Sequence, residues 1–158
     1  MSLFHKIAGK VIVVGSDIAP NLMARIIVPR LLTPRHVPSR LPDTFEPIDI
    51  GNGIVAWHEY DSDPTLPLAL FVHGFNGHHA QWSAIETVVR QSGYRAIFLD
   101  PPGHGSSLQG QCDPILFSNA VRAAFEYFGP VSLYIGHSMG AVAGVLATRE
   151  VARADAFG

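Results

Sequence analysis

Val131-Ser132-Leu133-Tyr134-Ile135-Gly136-His137-Ser138-Met139-Gly140 joins a five-residue run that is apolar apart from Ser132, a Gly-x-Ser-x-Gly turn and the start of a segment rich in small residues. The run predicts a strand buried on both faces. Gly140, Ala141, Ala143, Gly144 and Ala147 predict a helix after the turn, so Ser138 falls at a strand-to-helix junction. That setting holds a serine in a strained turn with its hydroxyl forward, and Gly136 and Gly140 let strand and helix approach without Cβ clashes. A serine hydroxyl is a poor nucleophile near neutral pH and needs an imidazole within hydrogen-bond reach. All eight histidines (His5, His36, His58, His73, His78, His79, His104, His137) occur before Ser138 in the sequence. His137 is next to it, but neighbours in so tight a turn project differently, and we read it as packing beside the turn.

Upstream, strands and helices alternate. Ile54 to Tyr60 reads as a strand, Asp61 to Pro67 as a turn, and Leu68 to Val72 as a second buried strand. Gln81 to Gln91 reads as a helix with Trp82, Ile85, Val88 and Val89 on its apolar stripe, ending at Gly93 before a strand over Tyr94 to Leu99. Pro114 to Phe128 is the best punctuated helix. Asp113 stands at its N-cap, Pro114 at its first position, Phe117, Val121, Ala124, Phe125 and Phe128 on one face, and Gly129-Pro130 at its end. This alternation predicts an α/β fold with a mostly parallel sheet and flanking helices. We place its domain at residues 47–158. Residues 1–46 read as an arm: a helical stripe of Leu3, Phe4, Ile7, Val11 and Val14, a short helix from Pro20 to Val28, and an extended linker from Pro29 to Pro42.

Two further segments lie where chain leaves a strand. His73-Gly74-Phe75-Asn76-Gly77 follows Leu68 to Val72, and Asp100-Pro101-Pro102-Gly103-His104-Gly105-Ser106 follows the next strand. The C-terminal edge of an open α/β sheet is where ligands bind. With the Gly136 to Gly140 turn, these segments occur in the order found in the α/β-hydrolase superfamily, which the chain resembles over residues 47 to 152. The resemblance implies a serine hydrolase, esterase- or lipase-like, acting on a small-molecule ester or acyl substrate through an acyl-Ser138 intermediate and needing no cofactor. The backbone N–H groups of Phe75 and Met139 would form the oxyanion hole. His73 and Gly74 would shape the oxyanion loop, and Asp100, Gly103, His104 and Gly105 a structural turn whose side chains bond local backbone. An aspartate-nucleophile dehalogenase or epoxide hydrolase is disfavoured by a serine at the elbow.

The family pattern places an acid and then a histidine after the elbow, whereas only Glu150 and Asp155 follow as carboxylates. We therefore read a truncated α/β-hydrolase fold, the N-terminal portion of a longer hydrolase, inactive by itself and prone to self-association through an exposed edge at Val131 to Ile135. Two other readings remain: a noncatalytic remnant or interaction module, and an acyltransferase using a Gly-His-Ser-x-Gly nucleophile, against which the His-Gly-Phe loop argues.

Composition adds exclusions. Cys112 is the only cysteine, which excludes internal disulfides and multi-cysteine metal motifs and fits a cytoplasmic location. His73, His78 and His79 lack a carboxylate or cysteine partner at metal-ligand spacing, and no metal is expected. Net charge is −2, but residues 1–40 carry six Lys or Arg against Asp17 alone. That basic arm suits weak contact with an anionic membrane surface. It lacks interleaved aromatics, and we expect no nucleic-acid binding.

Overall fold

A computed structural model describes residues 12, 17, 19–35, 37, 39 and 41–157, with side chains through residue 149. The chain divides into two compact units, residues 1–33 and 34–158. In the first, α1 (Pro20–Leu31) starts on Pro20 and carries Pro29 inside its last turn. The Pro-rich segment therefore does not stay extended from Pro29 as expected: Pro29 lies within the helix, whose last turn the Arg30 side chain supports by donating to the Ile26 carbonyl. The expected stripe from Leu3 to Val14 lies outside the described residues apart from Ile12.

The second unit is built on a five-stranded sheet in the order β1 (Phe45–Asp49), β2 (Val55–Glu59), β4 (Arg95–Asp100), β3 (Leu68–Val72), β5 (Val131–Gly136). β3 runs parallel to both β4 and β5, while β1 and β2 join as an antiparallel hairpin extending onto β4. The α/β class and the flanking helices stand as expected. β1 was not anticipated, and its turn explains it. Gly51, Asn52 and Gly53 all adopt positive φ (110°, 56°, 69°), and Asp49 Oδ1 accepts from Gly51 N–H at 2.8 Å. Pro47 sits in the edge strand, where a missing N–H is tolerated.

Side-chain alternation divides the core. Leu68, Leu70 and Val72 of β3 and Ile97 and Leu99 of β4 face Phe117, Ala120, Val121 and Ala124 of α3 (Pro114–Phe128) and Ala143 and Ala147 of α4 (Met139–Phe157). Ala69, Phe71, Ala96 and Phe98 face the other way, onto Trp82 and onto Val89 of α2 (Ser83–Gln91). The N-cap of α3 is as read, with Asp113 Oδ1 accepting from Leu116 N–H at 2.8 Å. The stripe expected on the preceding helix is displaced. A 3₁₀ turn over His79–Trp82 precedes α2, so Trp82 and Val89 are buried, Glu86 turns inward to Arg90, and Ile85 and Val88 are exposed. α4 continues to Phe157, so both carboxylates that follow the elbow, Glu150 and Asp155, lie in this helix. β5 is the last strand of the sheet, pairing on one side with β3 alone.

Candidate active site

Ser138 occupies the turn between β5 and α4 with φ of +53°, a left-handed conformation that costs a non-glycine residue about 1–2 kcal/mol. The surrounding backbone enforces it. His137 N–H donates to Val72 O at 3.0 Å, tying the turn to the end of β3, and Ala141 and Val142 N–H close the first helical turn onto Ser138 O at 3.0 and 3.2 Å. A Cβ on Gly140 would collide with Val72 O and lie 2.6 Å from His73 O, and one on Gly136 would lie 2.7 Å from Ala141 N. Tyr134 braces the same turn, its hydroxyl donating to Gly140 O at 2.6 Å, and burial pushes its acidity constant up. Ser138 is exposed.

The loop after β3 reaches this turn. A Cβ on Gly74 would meet Ser138 Cβ at 3.0 Å and His137 O at 3.1 Å, so the loop backbone lies against the serine. Asn76 takes φ of +60°, its Oδ1 accepts from Arg35 N–H at 2.8 Å, and Gly77 N–H donates to Gly74 O at 2.9 Å. Among the described residues no acceptor takes the N–H of Phe75 or of Met139. Two unclaimed backbone donors thus lie on the segments flanking Ser138.

Beside this opening lies a closed polar hub centred on Asp100, which is fully buried. Its Oδ2 accepts from His79 Nδ1–H at 2.8 Å, Trp57 Nε1–H at 3.0 Å and Ser106 N–H at 3.0 Å; His73 Nε2 stands 3.6 Å from Oδ1. Burial raises a carboxyl's acidity constant, but the nearby His73 and His79 imidazoles and the Ser106 N–H outweigh it and hold Asp100 well below the usual carboxylate range. Gly105, at φ +49°, passes so close that a Cβ would lie 2.5 Å from Oδ1. His104 donates from Nδ1 to Pro102 O at 3.0 Å and accepts Asn76 N–H on Nε2 at 3.1 Å, a neutral tautomer; burial pushes its acidity constant down to about 4. Gly103, at φ +79°, passes within Cβ contact of Gly110 O and the Pro34 ring.

Asp100 therefore bonds beyond its local turn, to side chains of β2 and of the 3₁₀ segment. Trp57, His79 and Ser39 were not foreseen; the partners lie 43 and 21 residues from Asp100, and no spacing rule signals them. The hub keeps its imidazoles from Ser138. His79 Nε2 meets Ser39 Oγ, both His104 nitrogens are used, and His73 donates Nδ1–H to Gly74 O at 2.8 Å. His58 pairs with Glu46 at 3.3 Å. Of the six described histidines, none hydrogen-bonds to the Ser138 hydroxyl. Among the described residues no cluster of three or more His, Cys, Asp or Glu could hold a metal ion, and no helix is long and apolar enough to cross a membrane.

Residues 69–157 match the family described as Alpha/beta hydrolase family, a stretch spanning more than half of the chain. The chain belongs to the alpha/beta hydrolase family. No curated protein matches it. Solved structures similar to it include the thioesterase domain from the curacin biosynthetic pathway (23% identity, TM-score 0.55, 66% of this chain and 40% of that one). Est1E from Butyrivibrio proteoclasticus, solved with ferulic acid bound, matches at 24% identity and TM-score 0.54 over 65% of this chain and 46% of that one. Epoxide hydrolase A from Mycobacterium thermoresistibile matches at 20% identity and TM-score 0.54 over 65% and 34%. At these identities the likeness establishes a shared fold. The chain spans less than half the length of these three structures.

Proposed function

We propose that this chain carries the nucleophile half of a serine hydrolase acting on carboxylic esters. Ser138 attacks the ester carbonyl, the alcohol leaves, and water releases the acid from acyl-Ser138. The observation that supports this most is the strained, exposed Ser138 flanked by the unclaimed N–H groups of Phe75 and Met139, donors of the kind that stabilise charge developing on a carbonyl oxygen. No described histidine is hydrogen-bonded to Ser138, so in this reading its base and acid are supplied by residues other than the described ones. Catalytic turnover of a p-nitrophenyl ester is therefore absent from the 158-residue chain and present in a longer version supplying a downstream Asp and His, with Ser138→Ala abolishing it. Turnover that survives Ser138→Ala overturns the assignment.

A second reading, a noncatalytic module, is favoured by one observation: β5 is an open edge bordered on its two faces by grooves of about 490 and 380 Å³. In this reading the edge pairs with a second copy, as unpaired strands do. Light scattering decides it: concentration-dependent dimers abolished by Ser132→Pro support the module, and a monomer at all concentrations removes it.

A further inference from the structure

A Ser-His-Asp arrangement lies in the hub, separate from the elbow. Ser39 Oγ is 3.1 Å from His79 Nε2, and His79 Nδ1 is 2.8 Å from Asp100 Oδ2. Each orientation is fixed by its neighbour. An ionised carboxylate only accepts, so the His79 proton resides on Nδ1, its Nε2 presents a lone pair, and the Ser39 hydroxyl donates to it. Asp100 is itself locked by Trp57 Nε1–H and Ser106 N–H, and the Trp57 ring lies against the imidazole with centroids 4.6 Å apart. This is the order of donors and acceptors by which a general base activates a hydroxyl.

We propose that Ser39 is an activated hydroxyl that accepts an acyl group from small activated carboxylic esters, with His79 as base and Asp100 as its positioning residue. Ser39 Oγ forms the bond to the ester carbonyl carbon as its proton passes to His79 Nε2. The ester C–O bond then breaks, the leaving alcohol or phenol takes that proton, and acyl-Ser39 and neutral His79 remain. Ser39 is half-buried, whereas His79 is 1% exposed. Nε2 is thus reached past Ser39, and an acyl group there screens the base from water. The adduct accumulates, one per chain, without turnover, which separates it from chemistry at Ser138.

The experiment uses the full chain carrying Ser138→Ala, p-nitrophenyl acetate as acyl donor, and peptide mapping by mass spectrometry. Acetylation at Ser39 is expected at least about a hundredfold faster than at the exposed Ser83 and Ser132, the scale of general-base assistance. Ser39→Ala loses this adduct alone, and a folded His79→Gln loses the rate advantage. If His79→Gln does not fold, the comparison among the three serines in the parent protein decides. Equal rates at Ser39, Ser83 and Ser132, or an undiminished rate in folded His79→Gln, overturn the proposal and leave Asp100-His79-Ser39 a strut.

Discussion

The elbow follows β5 and the hub closes β4, strands that flank β3 on either side, and the two are built by opposite means. Ser138 is held by backbone bonds and by the absence of side chains at Gly74, Gly136 and Gly140, and its hydroxyl is unengaged. Asp100 is fully buried and held by Trp57 and His79 side chains and the Ser106 N–H, with His73 Nε2 3.6 Å away and outside hydrogen-bond reach. The open site stores strain and leaves its donors free; the closed one uses the Asp100 carboxylate to satisfy Trp57, His79 and Ser106 and ties together the segments that carry them.

Breaking the hub therefore has the largest effect. Asp100→Ala removes the acceptor of the buried His79 Nδ1–H, of the half-buried Trp57 Nε1–H and of Ser106 N–H, for an expected loss of about 3–5 kcal/mol. Urea unfolding measures it, and a loss under about 1 kcal/mol would mean that the hub is hydrated or replaceable.

Glycine substitutions compare the two sites directly. Gly140→Ala drives a methyl into the Val72 and His73 carbonyls, and Gly105→Ala drives one into the Asp100 carboxylate. Each is expected to cost about 2–3 kcal/mol, as overpacking against backbone or fixed groups does. Gly110→Ala, with no atom within 4 Å of the added Cβ, is the control and should change stability by less than about 0.5 kcal/mol.

Acid titration separates the sites next. His104 has its acidity constant pushed from 6.5 to about 4, so the unfolded chain binds the extra proton between those values. Stability from this group is complete above about 6.5 and falls as pH drops toward 4, by on the order of 2–3 kcal/mol. Asp100, held below its ordinary 3.8, contributes above that value and is lost below it, so the two losses follow one another. Urea midpoints at pH 7, 5 and 4 read the first step. His104→Gln should flatten it, whereas Ser138→Ala should not.

Legibility followed the same division. The elbow, the α3 caps and the strands β3 and β5 were readable because their signals are local: an apolar run, Asp113-Pro114, a pair of spaced glycines. But β5, expected to be buried on both faces, is only half-buried with Ser132 exposed, because β3 alone flanks it. The hub was not. Asp100 reads as a turn residue, and nothing in its neighbourhood announces that Trp57 and His79 will converge on it, because strand order β2-β4-β3 brings them together only after folding. The stripe on α2 was misread for a related reason: the 3₁₀ turn at His79–Trp82 shifts the helical phase, burying Glu86 in place of Ile85. His79 turns inward at that same turn, so the displaced phase and the unforeseen imidazole are one event.

The smallest expected effect is the sharpest test of the contrast. If the elbow stores strain at Ser138, Ser138→Gly should stabilise the fold, relieving about 1–2 kcal/mol of left-handed strain against about 0.5–1 kcal/mol of added chain entropy. The net gain is then up to about 1.5 kcal/mol, and Ser138→Ala, which keeps a Cβ at the same φ, should show none of it. The matching change in the hub runs the other way. Gly105 has the same sign of φ, and any side chain there both strains the backbone and strikes Asp100. A site whose stability rises when its serine is replaced by glycine is held in shape by its surroundings for a reason other than folding.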